Sequence, residues 1–73
     1  MKNIAFRDAG YIILVTENGW EYEIPERDMF YPELMAEWFS HMAIKKWVTK
    51  DHIRCMGSLA QEVIREGKED ASR

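Results

Sequence analysis

Two residues of this chain could form a thiol-based catalytic site. His52 and Cys55 are three positions apart, so on a helix they would be neighbours, and His41 could supply a third member. A catalytic thiol needs an adjacent base and a group that orients that base. Neither residue lies in a glycine-rich turn, and no Asn or Asp has a defined place beside them. We therefore interpret them as a small buried thiol and a capping imidazole, and we predict no catalytic residues and no enzyme activity.

Carboxylates and metal ligands give no stronger candidate. Glu17, Glu21 and Glu23 could supply the paired acids of a glycosidase, and strand alternation places Glu21 and Glu23 on one face. A chain of 73 residues offers no cleft to bury them, so a solvated strand face is the better interpretation. Two histidines and one cysteine fall short of the four-ligand set of a structural zinc. We expect no metal ion and no other cofactor.

A cluster of basic residues is the third candidate. Lys45, Lys46, Lys50 and Arg54 are accompanied by one acid, Asp51, although the whole chain has a net charge of −3. Two helices with a short turn could present these cations as a helix-turn-helix motif does. The turn lacks the usual glycine, no third helix is available, and the rest of the surface is acidic, which opposes phosphate binding. A small nucleic-acid-binding regulator is therefore the alternative function.

The elements that would position these residues begin with β-strands. Segments 11–16 and 20–24 are rich in β-branched and aromatic residues and flank Asn18-Gly19, a pair typical of a two-residue type I′ turn. A shorter segment, 2–7, precedes a further turn, and Pro25 ends the third strand because it has no amide hydrogen to donate. The pattern predicts a three-stranded meander.

The turn type sets the pairing of the second and third strands. A two-residue turn at Asn18-Gly19 would place Ile13 opposite Ile24 on the face that the helices cover. Ile12 and Leu14 would then lie on the other face, which no remaining segment covers. Two branched aliphatic residues in that position indicate a partner.

Two helices follow the strands. Pro32 suits a first helical turn, and apolar residues recur at three- and four-residue spacing to about Lys46. Thr49 is a typical N-cap, Asp51 would lie in the first turn of the second helix, and Gly67 is a natural stop. The sequence thus predicts an α+β fold in which a three-stranded antiparallel β-meander is followed by an antiparallel two-helix hairpin packed on one face of the sheet.

Length and composition predict one domain and its location. The chain suffices for one core, so we expect a single small α+β domain over residues 1–67 and a frayed polar tail over 68–73. Only one cysteine is present, no apolar run is long enough to span a bilayer, and the start lacks the apolar region of a signal peptide. The expected location is the cytoplasm.

Because no catalytic or metal site is predicted, binding to another protein is the function class that the sequence favours. We expect a protein partner, no membrane, and a homodimer formed through the sheet or its edge, because exposed edge strands can pair with a second chain. Trp47, beside the basic cluster, has the character of an interface anchor. The predicted partner-binding residues are Ile12, Leu14, Glu21, Glu23, Lys45, Lys46, Trp47, Lys50 and Arg54.

In size, in lacking catalytic motifs and in its β-β-β-α-α pattern, the chain resembles the small accessory proteins that phages and mobile elements encode. These include inhibitors of host defence systems such as CRISPR complexes. The resemblance is one of length and element order. It implies a non-catalytic protein-protein interaction module that acts by blocking a large partner.

Overall fold

The computed structural model describes residues 4–71, with side chains described as far as residue 67, and shows three strands followed by helices. The elements are β1 (Ala5–Asp8), β2 (Tyr11–Val15), β3 (Glu21–Pro25), a 3₁₀ helix (Glu26–Phe30), α1 (Pro32–Ala43) and α2 (Lys50–Ala71). The strands form one antiparallel sheet in the order β1-β2-β3, and the helices pack on it. The predicted α+β fold is confirmed. The side chains of the predicted tail, 68–73, lie outside the described residues.

The turn between β1 and β2 has two residues. Ala9 and Gly10 both have positive φ, at 51° and 86°, which is the backbone of a type I′ turn. Asp8 and Tyr11 face each other across it. The turn type predicted for Asn18-Gly19 therefore occurs here, where an alanine takes a conformation that glycine or asparagine adopts more easily.

The loop between β2 and β3 is one residue longer than predicted. The Thr16 amide donates to the Trp20 carbonyl at 2.9 Å, which leaves a three-residue loop, 17–19. Gly19 has a φ of 85°, whereas Asn18 does not have positive φ. This combination is typical of a type I turn followed by a bulge at glycine. The predicted two-residue turn is wrong.

The extra loop residue moves the pairing of β2 and β3 by one position. Ile12 lies opposite Ile24, the residue that the predicted turn paired with Ile13. Leu14 lies opposite Tyr22. Because side chains alternate along a strand, a shift by one position moves every residue of β2 to the other face. Ile12 and Leu14 are fully buried at 0% exposure, so the prediction that they lie on an open, partner-binding face is wrong.

The core between the sheet and the helices combines aliphatic residues with methionines. Its buried members are Ile12, Leu14, Ile24, Met29, Met42, Met56, Ala60 and Val63. The three methionines come from the 3₁₀ helix, α1 and α2, and their flexible side chains suit the irregular space between strands and helices. On the opposite face of the sheet, Ile13 pairs with Phe6 and Glu23 and is 5% exposed.

The helices begin where the sequence predicts and end elsewhere. Pro32 occupies the first turn of α1, as predicted, but α1 ends at Ala43 rather than near Lys46. Gly67 does not end α2, which continues to Ala71. A Cβ atom at Gly67 would overlap the ring of Phe30, so this glycine makes room for an aromatic side chain of the 3₁₀ helix.

Arg7 links three elements beside the core. Its guanidinium bonds Glu26 of the 3₁₀ helix, at 2.8 Å from Nε, and Glu66 of α2. The hydrogen bonds to Glu26 and to Glu66 raise the pKa of Arg7 above its ordinary value, and the bond from Arg7 lowers the pKa of Glu66. The two carboxylates are 19 and 59 positions from Arg7 in the sequence, so only the fold brings these groups together.

Candidate functional site

The histidine of the thiol–imidazole pair is engaged in structural hydrogen bonds. Nδ1 of His52 accepts from the Thr49 amide at 3.1 Å, which leaves Nε2 to donate to the Val15 carbonyl at 2.8 Å. Both ring nitrogens therefore have partners other than Cys55, which is half-buried. Within residues 4–67, no group of three or more His, Cys, Asp or Glu side chains is arranged to hold a metal ion.

His52 and Thr49 cap α2 reciprocally. Thr49 Oγ1 accepts from the His52 amide at 3.3 Å while the imidazole accepts from the Thr49 amide, so the pair forms a capping box with histidine in place of the usual Glu or Gln. The bond from His52 to Val15 ties this cap to the end of β2. The first turns of α2, which carry Lys50 and Arg54, are thereby fixed relative to the sheet.

Aromatic side chains hold the link between the helices against the sheet. The ring of Tyr22 in β3 has its centroid 6.3 Å from that of Trp38 in α1 and 6.2 Å from that of Trp47 in the link. The Tyr22 hydroxyl lies 3.1 Å from Nε2 of His41, and the Lys45 ammonium lies 4.9 Å from the Tyr22 ring centroid. Trp47, the predicted anchor, is half-buried in this cluster. Strand alternation in the sequence predicted that Tyr22 faces the helices. No local pattern predicted which side chains its ring would contact.

Four more of the predicted site residues, all of them cations, lie beside Trp47 at this link. We use the name basic turn for the set Ile44, Lys45, Lys46, Lys50 and Arg54. Lys46, Lys50 and Arg54 are exposed, and Lys45 is half-buried by its contact with Tyr22. Asp51 is the one acidic residue in the stretch of sequence from Ile44 to Arg54. Its Oδ1 lies 3.6 Å from a guanidinium nitrogen of Arg54, and both side chains are more than 70% exposed. Such a pair is weak in water, so the basic turn keeps most of its positive potential.

The basic turn also exposes apolar surface. Ile44 is 81% exposed, more than any other large hydrophobic side chain in the part of the chain with described side chains. Ala43, the last residue of α1, directly precedes Ile44 and lines an open groove of about 390 Å³. The other lining residues are Val48, Thr49, Lys50, Ile53 and Arg54. The exposed isoleucine is thus followed in the chain by Lys45 and Lys46, and two cations, Lys50 and Arg54, line the partly apolar groove.

The remaining predicted site residues lie elsewhere. Glu21 and Glu23 are exposed and pair with Val15 and Ile13, on the sheet face opposite the helices. Ile12 and Leu14 belong to the core, so the nine predicted residues do not form one surface. Ile44 was missed, because helical periodicity predicted that α1 would continue through it.

Comparisons of the chain with protein-family models, with curated proteins and with solved structures give no match. Neither helix within residues 4–71 combines the length and the apolar character that crossing a bilayer requires.

Proposed function

We propose that this domain is a non-catalytic protein-binding module whose basic turn binds an acidic surface of a partner protein. The supporting observation is the 81% exposure of Ile44, which is followed directly in the chain by Lys45 and Lys46. Burying such a side chain is worth about 1.5–3 kcal/mol, and this gain is available only if the partner presents apolar surface. The complementary surface is one in which carboxylates surround an apolar side chain.

The basic turn is held in position before a partner arrives, which supports the same proposal. Lys45 rests on the ring of Tyr22, and Trp47 packs edge-on against His52 at 5.3 Å between ring centroids. Because the backbone that carries Ile44 is anchored at both ends, binding would order few additional groups. Preorganisation of this kind lowers the entropic cost of association.

Nucleic-acid binding remains the second candidate. Lys46, Lys50 and Arg54 are exposed near the start of α2, as phosphate-binding side chains would be. Phosphate contacts require cations but gain nothing from an exposed isoleucine. A nucleic-acid complex should therefore weaken steeply with salt and be indifferent to Ile44.

Two finer predictions stay proposals. Inhibition of a host defence complex is one form of the proposed module, and a cytoplasmic location is compatible with it. The predicted homodimer through the sheet or its edge loses the support of Ile12 and Leu14, because both side chains are buried on the face that the helices cover.

The experiment is capture of partners from nuclease-treated lysate with tagged protein, followed by carbodiimide cross-linking, which joins lysine amines to carboxylates as amides, and identification by mass spectrometry. We expect one stoichiometric protein, cross-linked at Lys46 or Lys50 through an acidic segment. Ile44→Ser and Lys50→Glu should each lose it. Arg65→Glu is the matched control, because Arg65 is an exposed cation of α2 outside the basic turn.

Three outcomes decide between the candidates. Loss of the partner in both basic-turn variants but not in the control supports the proposal. Recovery of nucleic acid alone, when nuclease is omitted, supports the second candidate. A partner retained by both basic-turn variants refutes the assignment of this surface.

A further inference from the structure

We propose that a second copy of this chain supplies the acidic surface, so that two copies pair through antiparallel α1 helices. This inference rests on the proposed function, because it names the partner of the basic turn. The proposed self-association surface is the exposed face of α1 rather than the sheet.

The start of α1 is acidic and apolar, which makes it complementary to the basic turn. Glu33 and Glu37 are exposed, and no salt bridge involving either is found within residues 4–67. Leu34 is 38% exposed and Tyr31 59%. The twelve residues of α1 contain no Lys or Arg.

An open cavity beside these acids matches the side chain that the basic turn exposes. Its volume is about 450 Å³, and its lining residues are Asp28, Leu34, Glu37, Trp38 and His41. Leu34 and Trp38 give it apolar walls, and two carboxylates border it. Asp28 already accepts a hydrogen bond from Trp38 Nε1 at 2.8 Å, whereas Glu37 is exposed. Ile44, which two lysines follow in the chain, would bury its aliphatic end in this cavity while a lysine meets Glu37.

Helix geometry allows both contacts at once. Positions 33, 37, 40 and 44 recur at three- and four-residue spacing, so they form one exposed line along α1 and its end. In an antiparallel pair with Ile44 of one copy beside Leu34 of the other, the link that begins at Ile44 lies at the acidic start of the partner copy's α1. Ser40 lies near the middle of this line, where a small side chain lets the helices approach closely.

The second copy is favoured because complementary charge, an exposed apolar side chain and a cavity for it all occur on one chain. A two-fold axis makes each contact twice and closes the assembly. Each of the two symmetry-related contacts involves only a few residues, so the buried area is small. We therefore expect a weak dimer that forms at micromolar or higher concentration.

The test is sedimentation equilibrium of the full chain from low micromolar to near-millimolar concentration. One variant reverses the acids, Glu33→Lys with Glu37→Lys, and a second reverses the bases, Lys46→Glu with Lys50→Glu. We expect the wild type to dimerise and each variant to associate at least about tenfold more weakly, since like charges would face each other. An equimolar mixture of the two variants should dimerise again. The matched control reverses Glu62 and Arg65 on the exposed face of α2 and should dimerise as the wild type does.

The mixture keeps the test decisive, because restored association requires that both variants are folded. A wild type that stays monomeric throughout, or a mixture that stays monomeric although the wild type dimerises, overturns the inference. A monomer that still captures an acidic partner through Ile44 and Lys50 would overturn the second copy and leave the proposed function standing. A monomer that captures none would remove both.

Discussion

Replacing His52 by alanine tests a buried polar side chain that links the start of α2 to the end of β2. The imidazole is 5% exposed and has hydrogen-bond partners at both ring nitrogens, the Thr49 amide at 3.1 Å and the Val15 carbonyl at 2.8 Å. Leaving a buried donor or acceptor without a partner costs about 1–3 kcal/mol. The edge-on contact with Trp47 adds about 0.5–1.5 kcal/mol. Part of the hydrogen-bonding loss is recovered by water, so we expect His52→Ala to lower the free energy of unfolding by about 2–4 kcal/mol.

A second substitution separates the cap from the bond to the sheet. Gln is a normal residue at this position of a capping box, so His52→Gln can keep the bond to the Thr49 amide but not the one to the Val15 carbonyl. We expect it to lose about half as much stability as His52→Ala. The assay is urea unfolding followed by circular dichroism. Arg54→Ala, on the same helix with a side chain 77% exposed, is the control and should change little.

The refuting results are specific. A loss below about 0.5 kcal/mol for His52→Ala would mean that the imidazole contributes no more than an exposed side chain. Equal losses for the Gln and Ala variants would assign the effect to the bond with Val15 and the ring contact with Trp47, and none of it to the cap.

Three further predictions concern the helix, the strand register and acid stability. Gly57→Ala should raise the free energy of unfolding by about 0.5–1 kcal/mol in urea, because a Cβ there meets nothing within 4 Å and alanine favours helix. Ile12→Asp should abolish the folded circular dichroism spectrum because it buries a carboxylate, whereas Glu23→Lys on the open face should preserve it. Glu66→Gln should be less stable than wild type at neutral pH, and the difference should vanish in acid. Because Arg7 lowers the pKa of Glu66, this ion pair stabilises the fold above the unfolded pKa of the carboxyl group and is lost as pH falls through the folded pKa.

Each of these has an outcome that contradicts it. A less stable Gly57→Ala variant would mean that this face of α2 is packed more closely than the structure shows. A folded Ile12→Asp variant would indicate that Ile12 lies on the open face of the sheet, as the two-residue turn requires. A stability difference for Glu66→Gln that is the same at all pH values would show that Glu66 acts through packing rather than charge.

Local sequence signals were sufficient to predict the three strands and the two α-helices, but not the 3₁₀ helix between them. Asn18-Gly19 marked a hairpin loop, Pro32 marked the start of α1, and Thr49 marked the cap of α2. Each of these signals acts through the backbone of its immediate neighbours, so it needs no information about distant residues. The basic residues of the turn were also visible, because they are close in sequence.

Local signals could not predict the register in which β2 pairs with β3. Tyr11–Val15 is apolar at every position, so alternation did not distinguish its two faces. Asn18-Gly19 is compatible with both a two-residue and a three-residue loop, and the two choices differ by one position in the pairing. Which of the two registers is more stable depends on how Ile12 and Leu14 pack against the methionines of the helices.

The sequence by itself therefore determined the order of strands and helices, the helix starts and the presence of a local basic cluster. Tertiary structure alone decided which face of β2 is buried, that Ile44 is left exposed, and that Arg7 bonds Glu66 across 59 positions. The physical reason is the range of the interactions. Turns, caps and helix periodicity act over a few residues, whereas burial and ion pairing depend on groups that approach one another only when the chain has folded.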